Sequence, residues 1–302
     1  MKYIQILLSS LFVGLFLIQT PGYSQEYNLA IYHADSLVLV DGPWHQEIIG
    51  RGVTFKQIRF ESKELFASNQ CLSILEIAPG SLVRFGLAAE PLLTTTEDLA
   101  KKEGALAAVN GSFFKFTDEP NTIDFNSVDY LRIDNRMLAD NTYSSSGQRL
   151  RHQEGAVAIL DGVLYIVKAT SERGWERYLL SDHVLCSGPL LVIDGRIEPL
   201  RMESFYTTRH PRTVVAKKRD GTVLLFVVDG RHAKAEGMSL EEIQKTLLWL
   251  GAVDILNFDG GGSSTMYIDG KGENGVVNHP CDNREFDHLG SRKVANALYI
   301  TF

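Results

Sequence analysis

Cysteine is scarce in this sequence of 302 residues. The chain has three, at Cys71, Cys186 and Cys281, so an exported protein would form at most one disulfide and keep at least one free thiol. None of the three lies in a CxxC, HxH or HExxH pattern, which gives a structural zinc site little support. This scarcity excludes a disulfide scaffold, and the sequence predicts no metal site and no cofactor.

Basic residues are also fewer than acidic residues. Lys and Arg number 30 against 37 Asp and Glu, a formal net charge of −7 at pH 7. Sequence-independent nucleic-acid binding depends on surplus Lys and Arg, so no nucleic-acid partner is expected. The chain also lacks internal repeats, the Walker pattern GxxxxGK[ST] and the GxGxxG pattern, so the common nucleotide-binding folds are not supported.

A long apolar run occurs at the N-terminus. After "MK" the chain reads IQILLSSLFVGLFLIQ and then TPGYSQ, which are the basic start, apolar core and small-residue end of a secretory signal peptide. We therefore predict that residues 1–24 are a signal peptide cut near Ser24 and Gln25, with an uncleaved anchor as the alternative. No basic stop-transfer cluster follows. The mature chain is expected to be exported, as a periplasmic or secreted cell-surface protein without a stable membrane anchor.

Asp-Gly turns between β-branched runs recur along the chain. They occur in AVAILDGVLYIVK, PLLVIDGRIEPL, TVVAKKRDGTVLLFVV and TMYIDGKGENGVV, and Asp-Gly suits the positive φ values of type I′ hairpin turns. The segments TTTEDLAKKEGA and GMSLEEIQKTLLWLGA predict helices, the second with Ser239 and Glu242 as a capping box and Gly251 at its end. The pattern predicts an α+β fold with a mixed, largely antiparallel sheet rich in hairpins and a few packed helices.

Three consecutive glycines follow an apolar strand in the stretch NFDGGGSS, Asn257–Ser264. Glycine is needed where φ is positive or where another group approaches the backbone closely. A turn does not need three glycines, so Asp259 and the glycines beside it are predicted to face a ligand. Successive backbone N–H groups in such a loop form a nest that binds an anion. A purely turn-forming role for Asp259 is the alternative.

Other polar residues lie beside apolar runs elsewhere in the chain. Asp229 and Arg231 end LLFVVDGRH, Asn110 lies in AVNGSFF, Arg212 in TTRHPRTVV and Asn278 in GVVNHP. Arginine supplies planar donors suited to phosphate, and carboxylates serve as base, nucleophile or stabiliser of a positive sugar-like transition state. The set favours a substrate with both a sugar and a phosphate, although each residue alone is also typical of a turn or a surface ion pair.

Several segments, taken in order, resemble the phosphodiester glycosidase family. They are AAVNGSFF, CSGPLLVIDGRI, RHPRTVVA, LLFVVDGRHAKAEGMSLEEI, LGAVDILNFDGGGSSTM, GVVNHP and RKVANAL. The resemblance covers roughly residues 70–302 and implies an α+β catalytic domain that removes a sugar from a sugar phosphodiester. Residues 25–69, which are strand-like and polar, fall outside it and are predicted to be an N-terminal β-rich addition. One departure is Cys186 in CSGP, where the family has a glycine-rich SGGP-like turn.

By motif position, the resemblance implies two groups of site residues. The group assigned to catalysis is Asp259, Asp229, Arg231 and Arg212. The group assigned to substrate binding is Asn110, Gly260, Gly261, Gly262, Ser263, Ser264 and Asn278. Within the first group, Asp259 is expected to act as nucleophile or base and Asp229 as the second carboxylate.

The expected reaction is hydrolysis of the sugar C1–O bond in a carbohydrate-phosphate substrate resembling a GlcNAc-1-phosphodiester. Phosphate departs readily, so anion stabilisation by the glycine loop and the arginines is expected to carry more of the catalysis than a general acid. One alternative is a phosphodiesterase that cuts P–O with Mg²⁺ or Ca²⁺ held by Asp229, Asp259 and Asn110. Another is a non-catalytic glycan-binding module of the cell envelope.

Overall fold

The computed structural model describes residues 34–302. The helices are α1 (Ala34–Val40), α2 (Thr96–Lys102), α3 (Ser204–Thr207) and α4 (Leu240–Trp249). The strands are β1 (His45–Gly50), β2 (Val53–Leu65), β3 (Ser68–Ile77), β4 (Arg84–Thr95), β5 (Ala107–Asn110), β6 (Leu131–Ile133), β7 (Arg136–Ala139), β8 (Gly155–Leu160), β9 (Val163–Lys168), β10 (His183–Ser187), β11 (Leu190–Ile193), β12 (Arg196–Ile197), β13 (Arg212–Lys218), β14 (Val223–Val228), β15 (Ala252–Asn257), β16 (Met266–Ile268) and β17 (Lys293–Thr301). The predicted signal peptide, residues 1–24, lies outside the described residues.

The strands form three sheets. An eight-stranded sheet has the order β1-β2-β3-β14-β13-β15-β11-β12, a five-stranded sheet the order β7-β6-β10-β8-β9, and a four-stranded sheet the order β16-β5-β17-β4. Every pairing between named strands of the described chain is antiparallel. Antiparallel sheets with a few short helices confirm the predicted α+β fold.

The eight-stranded sheet is buried on both faces, as its central strand β14 shows. Alternate side chains of a strand point to opposite faces. The alternate positions from Val223 to Val227 pack into a core shared with the other two sheets. Those from Leu224 to Val228 pack into a second core that contains residues of α1 and α4. The sheet is therefore the middle layer, with helices on one face and smaller sheets on the other.

Local sequence signals give the expected turns and helix ends. Asp161 and Asp194 have φ values of 52° and 51° and each precedes a glycine of positive φ, as a type I′ turn requires. The loops after β13 and β16 are longer than two residues. Helix α4 begins after Ser239, whose hydroxyl accepts from Glu242 N at 3.2 Å while the Glu242 carboxylate accepts from Ser239 N at 2.8 Å. The predicted capping box is thus confirmed.

The antiparallel arrangement brings the candidate site residues to one end of the large sheet. Strand β13 begins at Arg212, which pairs with Val228 at the end of β14. On the other side of β13, Val214 pairs with Asn257 at the end of β15. Because neighbouring antiparallel strands end where the central one begins, the loops after β14 and β15 meet at the start of β13.

The segment predicted as an N-terminal addition supplies α1, β1 and β2. These two strands are the outer strands at one edge of the eight-stranded sheet, and the boundary at residue 69 falls just inside the β2–β3 hairpin, near the Leu65–Ser68 pair. The division into addition and catalytic domain stays a prediction. Between residues 34 and 302, no helix has the length and apolar character needed to cross a membrane.

Candidate active site

The glycine loop after β15 is bare because other groups lie directly against it. An added Cβ would lie 2.6 Å from Pro211 O at Gly260, and at Gly262 it would meet Arg292 and Asp282. At Gly261, φ is +64° and an added Cβ would lie 2.9 Å from the Arg231 guanidinium. A side chain would therefore displace a backbone carbonyl at Gly260 and an arginine at Gly261 and Gly262.

The N–H groups of this loop are largely used inside the protein. Gly260 N donates to the Asp259 carboxylate at 2.9 Å, and Gly261 N donates to Pro211 O at 2.8 Å. The chain then folds into a single 3₁₀ turn over Gly261–Ser263. Two of the three N–H groups predicted to cradle an anion are thus occupied, which corrects the nest prediction. The positive charge at this loop comes from the guanidinium groups.

Arg212 is held in place by backbone carbonyls. It is 2% exposed, and its guanidinium donates to Met238 O at 3.3 Å, Phe205 O at 2.6 Å and Thr208 O at 3.2 Å. Burial and the charge of Arg231 lower the pKa of Arg212 to about 10, although Asp259 opposes this. A guanidinium whose charged form is disfavoured by its surroundings binds an incoming anion strongly.

Arg231 brings a second positive charge to the same place. It has a left-handed backbone with φ of 61°, which for a non-glycine residue indicates a conformation imposed by its surroundings. Its guanidinium lies beside the Cys281 thiol and opposes the rise in thiol pKa that burial causes. Among residues 34–302, no carboxylate lies within 4.0 Å of Arg212 or Arg231. Their charges are therefore available to a substrate phosphate.

Asp259 is the acid that faces these arginines. Burial raises the pKa of its carboxyl to about 6, while Ser263, the Gly260 N–H and Arg292 oppose the rise. Its backbone N–H donates to Gly111 O at 3.1 Å, which ties the loop to the strand end at β5. A carboxylate with such a pKa is suited to accept a proton near neutral pH.

Two buried serine hydroxyls lie in the loop after Asp259. Ser263 and Ser264 are 0% and 1% exposed. The Ser263 hydroxyl interacts with the Asp259 carboxylate and helps to lower its pKa, whereas the Ser264 Oγ makes no hydrogen bond within the described residues. Buried polar atoms without partners are rare in native proteins, and contact of either hydroxyl with a ligand stays a prediction.

Asn110 makes its hydrogen bonds within the protein. It is fully buried, and its Nδ2 donates to Asp259 O at 2.8 Å and Gly111 O at 3.3 Å. Its Oδ1 accepts from Thr213 Oγ1 at 2.6 Å and Thr265 N at 3.2 Å. Every donor and acceptor of the amide is therefore used. Asn110 thus ties the Asp259 loop to neighbouring strands, and its predicted direct contact with substrate stays a prediction.

Asn278 and Asp229 form a second buried framework. Asn278 Nδ2 donates to Asp229 Oδ1 at 2.9 Å and Ser264 O at 3.0 Å, and its Oδ1 accepts from Met266 N at 2.7 Å. Asp229 is 1% exposed and also accepts from His279 N at 2.9 Å. These bonds hold Asn278 in the framework, and its predicted contact with substrate stays a prediction. Asp229 is likewise enclosed by protein donors.

His279 links Asp229 to strand β2. Its Nδ1 lies 2.8 Å from Asp229 Oδ2, and its Nε2 lies 2.9 Å from Arg59 Nη2. Because arginine only donates, Nε2 is the acceptor and the ring proton sits on Nδ1 toward Asp229. The imidazole stacks on Phe286 with ring centroids 3.9 Å apart. The ring is therefore fixed on both edges and one face.

The same cluster is the candidate for a metal ion within residues 34–302. Ligand atoms of Cys71, Asp229 and His279 lie within 4.8 Å of one another. These atoms already bond to one another, and burial together with Asp229 raises the pKa of the Cys71 thiol well above its usual range, which opposes metal binding. The predicted set of Asp229, Asp259 and Asn110 is weakened too, because Asn110 Oδ1 already accepts two hydrogen bonds. All three cysteines are free.

Sequence reasoning missed several charged groups at this site. They are Arg292 against Gly262, Arg151 near Arg212, and the buried Asp129 with its partner His152. Arg292 lies in the family-like segment RKVANAL, which was the one available signal. The others sit in loops without a local pattern, so their proximity depends on strand pairing far apart in sequence.

Comparison with known proteins places this geometry in a family. A sequence profile of the phosphodiester glycosidase family matches residues 103–301. The SPbeta prophage-derived uncharacterized protein YomE of Bacillus subtilis is 30% identical over 214 residues, 69% of this chain and 30% of that protein. The N-acetylglucosamine-1-phosphodiester alpha-N-acetylglucosaminidase of Mus musculus is 25% identical over 219 residues, 70% of this chain and 39% of that protein. The matched part thus spans about a third of these relatives.

Solved structures share the fold at lower identity. The catalytic domain of zebrafish N-acetylglucosamine-1-phosphodiester alpha-N-acetylglucosaminidase matches with a TM-score of 0.60 and 17% identity, covering 83% of each chain. A hypothetical protein from Synechocystis matches with a TM-score of 0.55 and 15% identity, covering 85% of this chain and 63% of that one. The family profile extends over about two thirds of the sequence and includes Arg212, Asp229 and Asp259. The chain therefore belongs to the phosphodiester glycosidase family.

Proposed function

We propose that this protein hydrolyses the sugar C1–O bond of a glycosyl phosphodiester, releasing free sugar and a phosphomonoester. The observation that carries the proposal is the pairing of Asp259, with a pKa of about 6, with arginines packed on the glycine loop beside it. A carboxylate can activate water or attack C1, and unpaired guanidinium groups can hold a phosphate. Asp259 is thus suited to the sugar part of such a substrate, and the arginines are suited to its phosphate.

The residues divide into reacting and positioning groups. Asp259 acts as nucleophile or base at C1. Arg212 and Arg231 hold the phosphate, whose growing negative charge they stabilise as the C1–O bond breaks. Ser264 binds substrate through a hydroxyl without a hydrogen-bond partner within the described residues, and Ser263 binds it beside the Asp259 carboxylate. The framework residues Asn110, Asn278 and Asp229 keep the loops in register through the hydrogen bonds described above.

The charges of the site and the named relatives both support a phosphodiester substrate. A neutral sugar glycoside has no group for Arg212 and Arg231, whereas a phosphodiester carries one negative charge at the required place. The mouse and zebrafish relatives are named for N-acetylglucosamine-1-phosphodiester, which makes that sugar the first probe. Other sugars linked through phosphodiesters fit the same charge pattern.

A product assay tests the proposal. Purified residues 25–302 are incubated with the methyl phosphodiester of α-GlcNAc-1-phosphate and, in parallel, with nitrophenyl α-GlcNAc, which lacks phosphate. We expect free GlcNAc from the phosphodiester alone. Equal release from both compounds would contradict the role of the arginines. Binding without turnover across a panel of sugar phosphodiesters would instead indicate a glycan-binding module.

Hydrolysis in ¹⁸O-water identifies the bond that breaks. C1–O cleavage places the label in the released sugar, whereas P–O cleavage places it in the phosphate. Dialysis against EDTA before the assay separates a metal-assisted phosphodiesterase from the proposed reaction. Label in the phosphate together with activity lost to EDTA and restored by Mg²⁺ or Ca²⁺ would establish the P–O alternative.

We also propose that the protein is exported. The basic start and apolar core of residues 1–24 support this proposal. Expression of the full sequence in a host with a general secretion pathway, followed by N-terminal sequencing of the product, tests it. Cleavage near Ser24 is expected, and an intact N-terminus in the cytoplasmic fraction would contradict it.

A further inference from the structure

A buried carboxylate and a histidine form a pair beside the proposed active site. Asp129 is 0% exposed, and its Oδ1 is in close contact with His152 Nδ1. Its Oδ2 accepts from Ser112 Oγ at 2.8 Å, so both oxygens are engaged. A carboxylate on Nδ1 fixes the orientation of an imidazole and leaves Nε2 as the outward nitrogen. The side chain of His152 is 15% exposed, so the ring is not sealed in the core as Asp129 is.

The pair is connected to the loop of Asp259. Ser112 directly follows Gly111, whose carbonyl accepts from Asp259 N at 3.1 Å. The negative charge of Asp129 contributes to the raised pKa of Asp259. Electrostatic interaction of this kind requires the two carboxylates to lie near one another through a poorly solvated region.

His152 approaches the site from the side where the arginines lie. It shares a single 3₁₀ turn, Arg151–Gln153, with Arg151. The Arg151 and Arg212 guanidinium carbons lie 4.3 and 4.9 Å from the Phe205 ring. Phe113 bridges the two parts, with its ring 5.2 Å from that of His152 and 6.2 Å from that of Phe205. The imidazole therefore lies in the same cluster of aromatic rings as Arg151 and Arg212.

We infer that His152 is a further catalytic residue, which donates a proton to the departing phosphate oxygen, and that Asp129 positions it. This inference rests on the proposed function. As the C1–O bond breaks, its electron pair goes to the phosphate oxygen, which takes the proton from His152 Nε2. A water oxygen bonds to C1, and the water proton goes to Asp259. Solvent then returns the proton from Asp259 to His152, so the products are free sugar and a phosphomonoester monoanion.

The surrounding charges determine how this step depends on pH. They are Asp129 in contact with the ring, Arg151 and Glu154 beside it in sequence, Glu203 at 3.9 Å from Arg151, Arg212 across Phe205, and Asp259. The aspartates and the glutamates carry negative charge, and the arginines carry positive charge. Because a proton donor acts only in its protonated form, the pH–rate profile is expected to have an alkaline limb.

Two variants and a matched control test the inference on the full mature chain. His152→Gln is expected to lower kcat on the GlcNAc phosphodiester by about 100-fold or more, the usual range for a general acid, with KM within about threefold. It should also abolish the alkaline limb of the pH–rate profile. Asp129→Asn keeps the donor but removes its partner charge, so the limb should move to lower pH. A purely structural role would reduce thermal stability and leave the limb in place.

His183→Gln serves as the control because the two histidine side chains are equally exposed and each faces an aspartate. The His183 side chain is also 15% exposed and faces an aspartate, Asp134, at 3.6 Å, but it lines a different cavity with Arg84 and Tyr299. Wild-type kinetics are expected for this variant. Retention of the alkaline limb and of kcat within threefold in His152→Gln would overturn the inference.

A measurement on the unsubstituted protein separates this inference from the proposed function. Imidazole resonances are followed by NMR while methyl phosphate is added, with assignments made through the backbone. Phosphate beside His152 should raise its apparent pKa and leave His183 unchanged. The inference is overturned if the His152 signals do not move, whether or not the GlcNAc phosphodiester is hydrolysed. If the His152 signals move but the GlcNAc phosphodiester is not hydrolysed, the proposed substrate or reaction is wrong.

Discussion

Asp229 follows strand β14 and Asp259 follows strand β15, but their carboxylates have different hydrogen-bond partners. Asp229 accepts hydrogen bonds from Asn278 and from both the backbone and the ring of His279. Asp259 accepts from its own loop, and burial raises its pKa to about 6. Both oxygens of Asp229 are engaged by protein donors, whereas a carboxylate with a raised pKa takes up a proton near neutral pH. Asp229 is thus suited to positioning and Asp259 to reaction.

Asp259→Asn is expected to abolish turnover and to stabilise the fold at neutral pH. The folded pKa of Asp259 lies above its unfolded value, so the folded state binds more protons between about pH 4 and 6, and stability is lost as pH rises through that window. The asparagine removes this loss. One pKa unit corresponds to about 1.4 kcal/mol, so the gain at pH 7.5 should be about 1–3 kcal/mol and nearly absent at pH 4.

Urea unfolding of both proteins at the two pH values measures this difference. The wild-type rate should also rise with pH through about 6, because Asp259 must be ionised to act. Turnover in Asp259→Asn above a few per cent of wild type would remove Asp259 from its role. An equal stability difference at both pH values would show that the gain comes from packing instead of ionisation.

Asp229→Asn is expected to destabilise the protein by about 1–3 kcal/mol, the cost of leaving a buried donor unsatisfied. An amide nitrogen would face His279 Nδ1–H, and the ring cannot change tautomer because Arg59 donates to its other nitrogen. Urea unfolding tests this, with Asp194→Asn in an exposed hairpin turn as the control, expected within about 0.5 kcal/mol of wild type. A stabilised Asp229→Asn protein would contradict the positioning role.

The sequence predicted close packing around Asp259 but not the contacts of its neighbours. Three glycines after Asp259 indicated close approach of other groups, and the Pro211 carbonyl, Arg231 and Arg292 lie against them. The sequence did not show whether the amides of Asn110 and Asn278 face a ligand or other protein groups. Their partners depend on which backbone groups remain unpaired at each strand end, and strand pairing between distant segments determines which groups those are.

In the loop from Gly260 to Ser264, Gly261 has a left-handed backbone and an arginine side chain packed against it. Gly261 has φ of +64° and touches the Arg231 guanidinium, whereas Gly270 has φ of +70° with no atom within 4 Å of an added Cβ. A non-glycine residue in this left-handed region costs about 1–2 kcal/mol. The two positions thus share the backbone cost and differ in the contact with arginine.

Gly261→Ala and Gly270→Ala are therefore a matched pair. Both are expected to lose about 1 kcal/mol of stability, but only Gly261→Ala should displace Arg231. Its KM for the phosphodiester should rise about tenfold or more, since charge-assisted hydrogen bonds to phosphate are lost. Steady-state kinetics and thermal unfolding of both variants measure the two effects. Equal KM values in the two proteins would show that the Arg231 contact does not serve substrate binding.

Elements with local signals were predictable, and their arrangement was not. The Asp-Gly turns after β8 and β11 and the capping box of α4 depend on residues within four positions of one another. The sheet order depends on pairings such as that of β3 with β14, about 150 residues apart. His152 was missed for the same reason, because it meets Asp129 only after β8 pairs with β10 and β10 with β6.

The N-terminal strands are joined to the rest of the fold through its core and its site. Five apolar side chains of β2 are at most 6% exposed, and they are Val53, Phe55, Ile58, Phe60 and Leu65. Gln57 Nε2 donates to Val277 O at 3.0 Å, and Arg59 donates to His279. Strand β2 thus supports the segment that carries Asn278. These contacts predict that residues 70–302 need the segment before them for a stable fold.

Removal of residues 1–69 is therefore expected to prevent stable folding. Burial of each such side chain contributes about 1.5–3 kcal/mol, so five of them amount to roughly 10 kcal/mol, comparable to the total stability of a typical domain. Strand β3 would also become an open, apolar edge that promotes aggregation. Circular dichroism and urea unfolding of residues 70–302 test this, with residues 34–302 as the control. Because the control keeps α1, β1 and β2, it should unfold cooperatively, and a cooperative, active 70–302 fragment would show that the catalytic domain is separable.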